Sequence, residues 1–135
     1  MPKVFTSDKQ KIGEQGENIA EQFLMKQGFV VLDRNYTKKW GEIDIVAKKD
    51  QKIYFIEVKS VSYLPRGGAG GSLDNYNPED NMHPWKMKRL ARTIQTYLLE
   101  KNIDEDIEWQ VDLLVVYIDP KTQKSEVKVV SDIIL

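Results

Sequence analysis

No cysteine occurs in the chain, and histidine occurs once, as His83. The first absence excludes disulfides and thiolate metal sites, and it is compatible with a reducing compartment. The second leaves little room for an imidazole-based metal centre. Any metal here would be a hard cation held by carboxylates, such as Mg2+ or Mn2+. An excess of one charge is also missing. Net charge is −1 with 30% charged residues, so the chain as a whole has no drive toward nucleic acid or membrane, and a basic patch must be sought locally. No apolar run approaches the ~18 residues of a membrane span. The opening MPKVFTSDKQ lacks the apolar core of a signal peptide. A soluble cytoplasmic protein without membrane contact is therefore expected.

What is present fits one domain over residues 1–135, long enough to bury a core without covalent staples. Residues 8–27 read as a helix, with Thr6, Ser7 and Asp8 as capping oxygens and Gly28 as the stop. Ile12, Gly16, Ile19, Ala20, Phe23 and Leu24 share one arc of it. Gly13 and Gly16 lie on that arc, which suggests close approach of another backbone, since each glycine costs about 1 kcal/mol relative to alanine. Residues 29–36 read as a strand, and 42–48 with 52–62 as a hairpin across Lys49-Asp50-Gln51. Residues 63–83, rich in Gly, Asn, Pro and Asp, read as a flexible loop that orders on demand. Pro84 opens a second helix to about Asn102. Residues 107–118 and 125–134 read as two further strands. The order α-β-β-β-α-β-β predicts an α/β fold with a mixed sheet flanked by helices.

The chemistry concentrates in GEIDIVAKKDQKIYFIEVKS, residues 41–60. Glu57 and Lys59 are two apart and share a strand face. Across a short turn Asp44 falls opposite Glu57, where facing side chains lie about 5 Å apart. Two carboxylates that close repel unless a cation lies between them, and a divalent metal meets that need. Lysine beside such a pair suits phosphodiester hydrolysis. The same three residues would also make an ordinary cross-strand salt bridge. Glu17 borders the apolar arc of the first helix and reads either as a further metal or water ligand or as a solvated flank residue. Glu42 reads as pointing away from Asp44.

Taken in order, Gly13-Glu14-Gln15-Gly16-Glu17 with Ala20, Gly28-Phe29, Arg34-Asn35, Gly41-Glu42-Ile43-Asp44, Phe55-Ile56-Glu57-Val58-Lys59, Lys86 or Lys88, and Val111-Asp112 resemble the YraN-like family over most of the chain. That family consists of small bacterial proteins grouped with archaeal Holliday-junction resolvases among PD-(D/E)xK nucleases. The resemblance implies a restriction-endonuclease-like fold and a metal-dependent nuclease acting on DNA, possible branched or structured DNA included. It implies Asp44 and Glu57 as ligands of Mg2+ or Mn2+, Lys59 as the catalytic lysine, and Glu17 as the helix-one acid. It also implies a possible homodimer, as resolvases cut junctions in pairs. The chain departs from the pattern at Thr37, Ser60-Val61 and Gln110-Val111, where the family commonly carries arginine. Each lost arginine removes a bidentate phosphate contact.

Lys38, Lys39, Arg66, Lys86, Lys88, Arg89 and Arg92 are the cations left to hold a nucleic-acid backbone, with Trp40 or Trp85 to stack bases. The same set also describes a solvated mixed-charge surface. His83 reads as a loop residue or helix-start cap, and Asp112 as a structural partner of a lysine or of Arg34. Two other functions share these residues: a non-catalytic nucleic-acid-binding module that keeps the fold, and a protein-interaction domain with a buried salt bridge.

Overall fold

A computed structural model of the chain describes residues 8–62 and 83–135. The glycine-rich stretch with Arg66 lies outside the described residues. Five strands form one sheet in the order β1 (Val30–Lys38), β2 (Gly41–Lys49), β3 (Lys52–Ser62), β4 (Trp109–Ile118) and β5 (Ser125–Val130). Helix α1 (Asp8–Lys26) precedes them, and α2 (Pro84–Glu100) connects β3 to β4. The β3–β4 pair is parallel, and the other three pairs are antiparallel. The mixed α/β architecture and its element order are those expected from the sequence. Among the described residues no helix is long and apolar enough to cross a membrane.

Each helix covers its own side of the sheet. Ala20 and Leu24 of α1 pack with Ile45, Ala47, Ile56, Leu114, Val116 and Ile118. Leu90, Ile94 and Tyr97 of α2 pack with Val46, Ile53, Phe55 and Val111. Neighbours such as Ile45 and Val46, or Phe55 and Ile56, part to opposite cores as the two-residue strand period requires. The burial of β4, continuous from Val111 to Ile118, is that of a central strand covered on both faces.

Helix ends follow the chain's left-handed residues. Gly28 (φ 92°) lets its N–H reach Met25 O at 3.1 Å and Phe29 N–H reach Leu24 O at 3.0 Å, which closes α1 in a Schellman motif. Asn102 (φ 51°) does the same for α2, with Ile103 N–H on Leu98 O at 3.0 Å. The second helix therefore ends at Glu100, short of Asn102. The last strand also stops early, at Val130. Asp132 (φ 55°) turns the chain, and Ile133 N–H then bonds Val111 O at 2.7 Å.

The two glycines of α1 differ in their surroundings. A Cβ at Gly16 would meet Ser60 Oγ at 1.8 Å and Ser60 Cβ at 2.9 Å, so the helix lies directly on β3 there. A Cβ at Gly13 would meet nothing within 4 Å, so the close approach expected at both belongs to Gly16. Rotating the Ser60 hydroxyl relieves only the shorter clash. Gly16→Ala is expected to destabilise the protein by about 1–3 kcal/mol, with Ser60→Gly restoring much of the loss. Gly13→Ala is expected to be neutral or stabilising by up to about 1 kcal/mol. Urea denaturation reads both; equal losses at the two positions would contradict this packing.

Candidate active site

The β2–β3 ladder is regular from Lys49/Lys52 to Ile45/Ile56. The tight turn that starts it places Asp50 (φ 50°) and Gln51 (φ 69°) in left-handed conformations, as a type I′ turn needs. Continued by one residue, the register sets Asp44 against Glu57, but there the paired backbone ends. Val58 N–H finds its acceptor in a side chain, Asp44 Oδ2 at 2.8 Å. On the other flank of β2, Asn35 faces the same place with φ 53°, and the β1–β2 pairing steps from Arg34/Ile45 to Tyr36/Ile43 around it. Ile43 and Val46 pack in one core although three residues apart, so the pleat shifts at Asp44. Asp44 thus occupies a fork in the sheet.

A cleft of about 270 Å³ opens at this fork, lined by Gly41, Glu42, Asp44 and Glu57 from the strands and by Trp85, Lys86, Arg89 and Leu90 from α2. Gly41 makes this possible by close approach, since a Cβ there would lie 3.2 Å from Arg89 O and 2.4 Å from Thr93 Oγ1. Asp44 is 7% exposed. Burial, and next the charge of Glu57, push its carboxyl up to about 9, against the lowering effect of the Val58 N–H. Glu57 is neutralised from α2, with Lys86 Nζ 2.8 Å from its Oε1.

Glu42 belongs to the same cleft. Two residues from Asp44 on one strand, it shares that side and lies within hydrogen-bond reach of the Asp44 carboxyl. The reading that pointed it away is corrected by that contact and by the shared cleft, and because the pleat shifts at Asp44 the strand period alone does not place it. Thr37 Oγ1 donates to Glu42 Oε2 at 3.2 Å.

Glu17 approaches from the opposite layer. Arg34 Nη2 lies 3.3 Å from Glu17 Oε1, and Arg34 Nη1 donates to Asn18 Oδ1 at 2.8 Å and approaches Glu21 Oε1 at 3.3 Å. Burial raises the Glu17 carboxyl despite Arg34, and the fields of Glu14 and Glu42 add to the rise. A second cleft of about 500 Å³ runs between α1 and β3, lined by Gly13, Glu17, Val58, Lys59 and Ser60 among others. Lys59 is half-buried there. It has no hydrogen-bond or ion-pair partner among the described residues.

The remaining cations divide. Arg89 Nε donates to Trp40 O at 3.0 Å, and its guanidinium lies 5.7 Å from the Trp85 ring centre. Arg92 covers the Trp40 ring at 4.3 Å. Lys38 is drawn to the far end of α2, where its Nζ meets Glu100 Oε2 at 2.7 Å. Lys39 and Lys88 are exposed. His83 precedes α2 as its cap by position, without a side-chain capping bond. Asp112 does not touch Arg34. It accepts from Gln110 Nε2 at 2.7 Å and from Asp132 N–H at 2.9 Å, and so pins the C-terminal segment to β4.

Among the described residues no three His, Cys, Asp or Glu side chains converge as a metal cage. The donor set that does meet is Asp44 and Glu57, two oxygen ligands with like charge in a buried recess. That set fits Mg2+, which keeps several waters and needs only one or two carboxylates.

Asp44 also sets a pH dependence. Its folded carboxyl titrates near 9 and an unfolded aspartate near 3.8, so between those values the folded chain binds more protons. Its contribution to stability therefore falls as pH rises through that window. Asp44→Asn keeps an acceptor for Val58 N–H and removes the titration. In metal-free buffer at pH 8 it is expected to be more stable than the native chain by roughly 1–3 kcal/mol, with a smaller gain at pH 5. Urea unfolding at both pH values tests this; parallel pH profiles for the two proteins would show that Asp44 is ionised in the fold.

The profile of the uncharacterised protein family UPF0102 matches residues 16–118, a span that takes in Glu17, Asp44, Glu57 and Lys59. A UPF0102 protein of Sulfurovum sp. is 36% identical over 117 residues, covering 86% of this chain and 86% of that protein. A UPF0102 protein of Campylobacter jejuni subsp. doylei is 38% identical over 101 residues, covering 75% and 79%. Among solved structures, that of Pyrococcus furiosus SfsA in complex with Ca2+ aligns over 97% of this chain and 73% of its own, at 11% identity and a TM-score of 0.38. A likeness that distant carries no argument about the site. The family profile and the identities to its members agree: the chain belongs to the UPF0102 family.

Proposed function

We propose that the chain is a metal-dependent nuclease with the restriction-endonuclease-like fold, hydrolysing phosphodiester bonds in DNA as a member of the PD-(D/E)xK superfamily. The observation that carries this is the Asp44–Glu57 pair at the fork of β2 and β3, where burial and like charge raise the Asp44 carboxyl. A salt bridge alone does not account for that pair. Lys86 serves Glu57 at 2.8 Å, while Asp44 has a backbone N–H and, among the described residues, no cation.

In this reading Asp44 and Glu57 would hold Mg2+ or Mn2+, which would supply Lewis-acid chemistry to the phosphate and to a water. Val58 N–H fixes the Asp44 carboxylate in place. Lys59, which lines the neighbouring cleft with Glu17 and has no partner among the described residues, would steady the phosphate or its attacking water from that side. Glu17, oriented by Arg34, closes the acidic set from the α1 side and holds or accepts a proton there. Glu42 positions Asp44. Lys86 and Arg89 offer charge to the nucleic-acid backbone at the α2 wall of the cleft.

A second reading, a nucleic-acid-binding module without chemistry, draws on one feature: the Lys86 ammonium already neutralises Glu57. The two part in one assay. Branched, flapped and single-stranded DNA are incubated with Mg2+, Mn2+ or EDTA. Cleavage is expected only with metal, with a loss of at least about a hundredfold in Asp44→Ala and in Glu57→Ala. Cleavage that survives either substitution would sink the nuclease reading, and salt-sensitive binding without any cleavage would favour the module.

A further inference from the structure

The chain has three tryptophans, and the structure leaves one of them open. Trp109 packs edge-on against Phe55 with ring centres 5.5 Å apart. Trp40 is half-buried, and the Arg92 guanidinium lies over its ring at 4.3 Å. Trp85 is 60% exposed, an uncommon state for so large an apolar surface, and it lines the cleft that holds Asp44 and Glu57. It stands in the first turn of α2, next to Pro84. The fixed φ of proline and the helical backbone set the position of its Cα, so the backbone that carries the indole needs no ordering on binding.

The surroundings of Trp85 are those of a stacking platform. The His83 ring is parallel to it within 4°, with centres 6.3 Å apart. Arg89 sits 5.7 Å from the ring centre, and Lys86 is its neighbour in sequence. Planar groups beside an exposed indole, with cations at hand, match the chemistry of a nucleobase and its phosphate. Acidic residues occupy the floor of the cleft, and the aromatic and basic groups stand on its α2 wall.

We propose that Trp85 is a nucleobase-stacking subsite, which receives an unpaired base at the mouth of the acidic cleft. The inference rests on the nuclease reading for the position of the phosphate and deepens it by naming the substrate class. A base inside a duplex has no free face for the indole. The preferred substrate is therefore nucleic acid that presents an unpaired nucleotide: a single strand, a flap or the unpaired arm of a branch. Fully paired duplex is the poorer substrate.

The test separates this subsite from catalysis by working in EDTA at low salt. Fluorescein-labelled hairpins, blunt or with a single-stranded tail, are titrated with protein and followed by anisotropy. The native chain is expected to bind the tailed hairpin more tightly. Trp85→Ala is expected to lose about five- to a hundredfold on the tailed hairpin and to leave blunt binding unchanged, while Trp85→Phe keeps most of the affinity. An abasic position at the first tail nucleotide should reproduce the alanine loss in the native chain and cost Trp85→Ala nothing more. Equal losses on blunt and tailed hairpins would overturn the stacking role. So would unchanged affinity in Trp85→Ala, which would leave the exposed indole as a protein-docking surface. Selective tail binding by a chain that never cleaves would uphold the subsite and fail the nuclease reading alone.

Discussion

A single hydrogen bond organises the candidate site: Val58 N–H to the Asp44 carboxylate at 2.8 Å. Where β2 and β3 cease to pair, the backbone of β3 would otherwise carry an unmatched donor into the interior. A side chain from the departing strand takes the place of the strand itself. That substitution lets the sheet fork without an orphaned donor. It also commits a carboxylate to a buried position, which is why Asp44 is both structurally necessary and electrostatically costly. The cleft, the raised carboxyl and the approach of α2 all follow from the fork.

Around that point the charge is arranged in layers. Glu57 is answered by Lys86 from α2, and Glu17 by Arg34 from β1. Asp44 lies between them, and among the described residues it has a backbone N–H in its favour and no cation. A structure built for stability alone would replace such a group, since burying a carboxyl away from water and cations costs free energy even when the raised pKa keeps it protonated. Its persistence in the innermost position is what makes the site a candidate for chemistry, as perturbed carboxyls in clefts commonly are.

Much of this was legible in the chain. The two-residue strand period and a short turn were enough to bring Asp44 to Glu57, and the order of elements followed from hydrophobic pattern and punctuation by Gly28 and Pro84. The misses share one physical reason, that local pattern does not encode remote partners. Gly13 and Gly16 look alike on a helical wheel, yet only Gly16 meets Ser60. Lys38 adjoins the motif strand in sequence, yet its charge is taken by Glu100 at the far end of α2. The early end of β5 came from Asp132, whose turn is stabilised by Asp112 two strands' length away in sequence. Glu42 belongs with them, since the pleat shift at Asp44 breaks the alternation that would have set its direction.

The parallel pairing of β3 with β4, which sets Ile53 beside Trp109, has a kinetic consequence. The β1–β3 meander is made of neighbouring segments and closes short loops, so it pairs early. The β3–β4 contact closes a long loop and waits for α2 to cross over, a slow step in topologies of this kind. Asp44 and Glu57 both belong to the meander, whereas Lys86 and Trp85 arrive with the crossover. During synthesis the acidic pair therefore forms before its counter-charge and before the α2 wall of the cleft. Until α2 docks, the two acids stand without the wall that Trp85 and Lys86 supply, so the candidate cleft is completed only by the crossover.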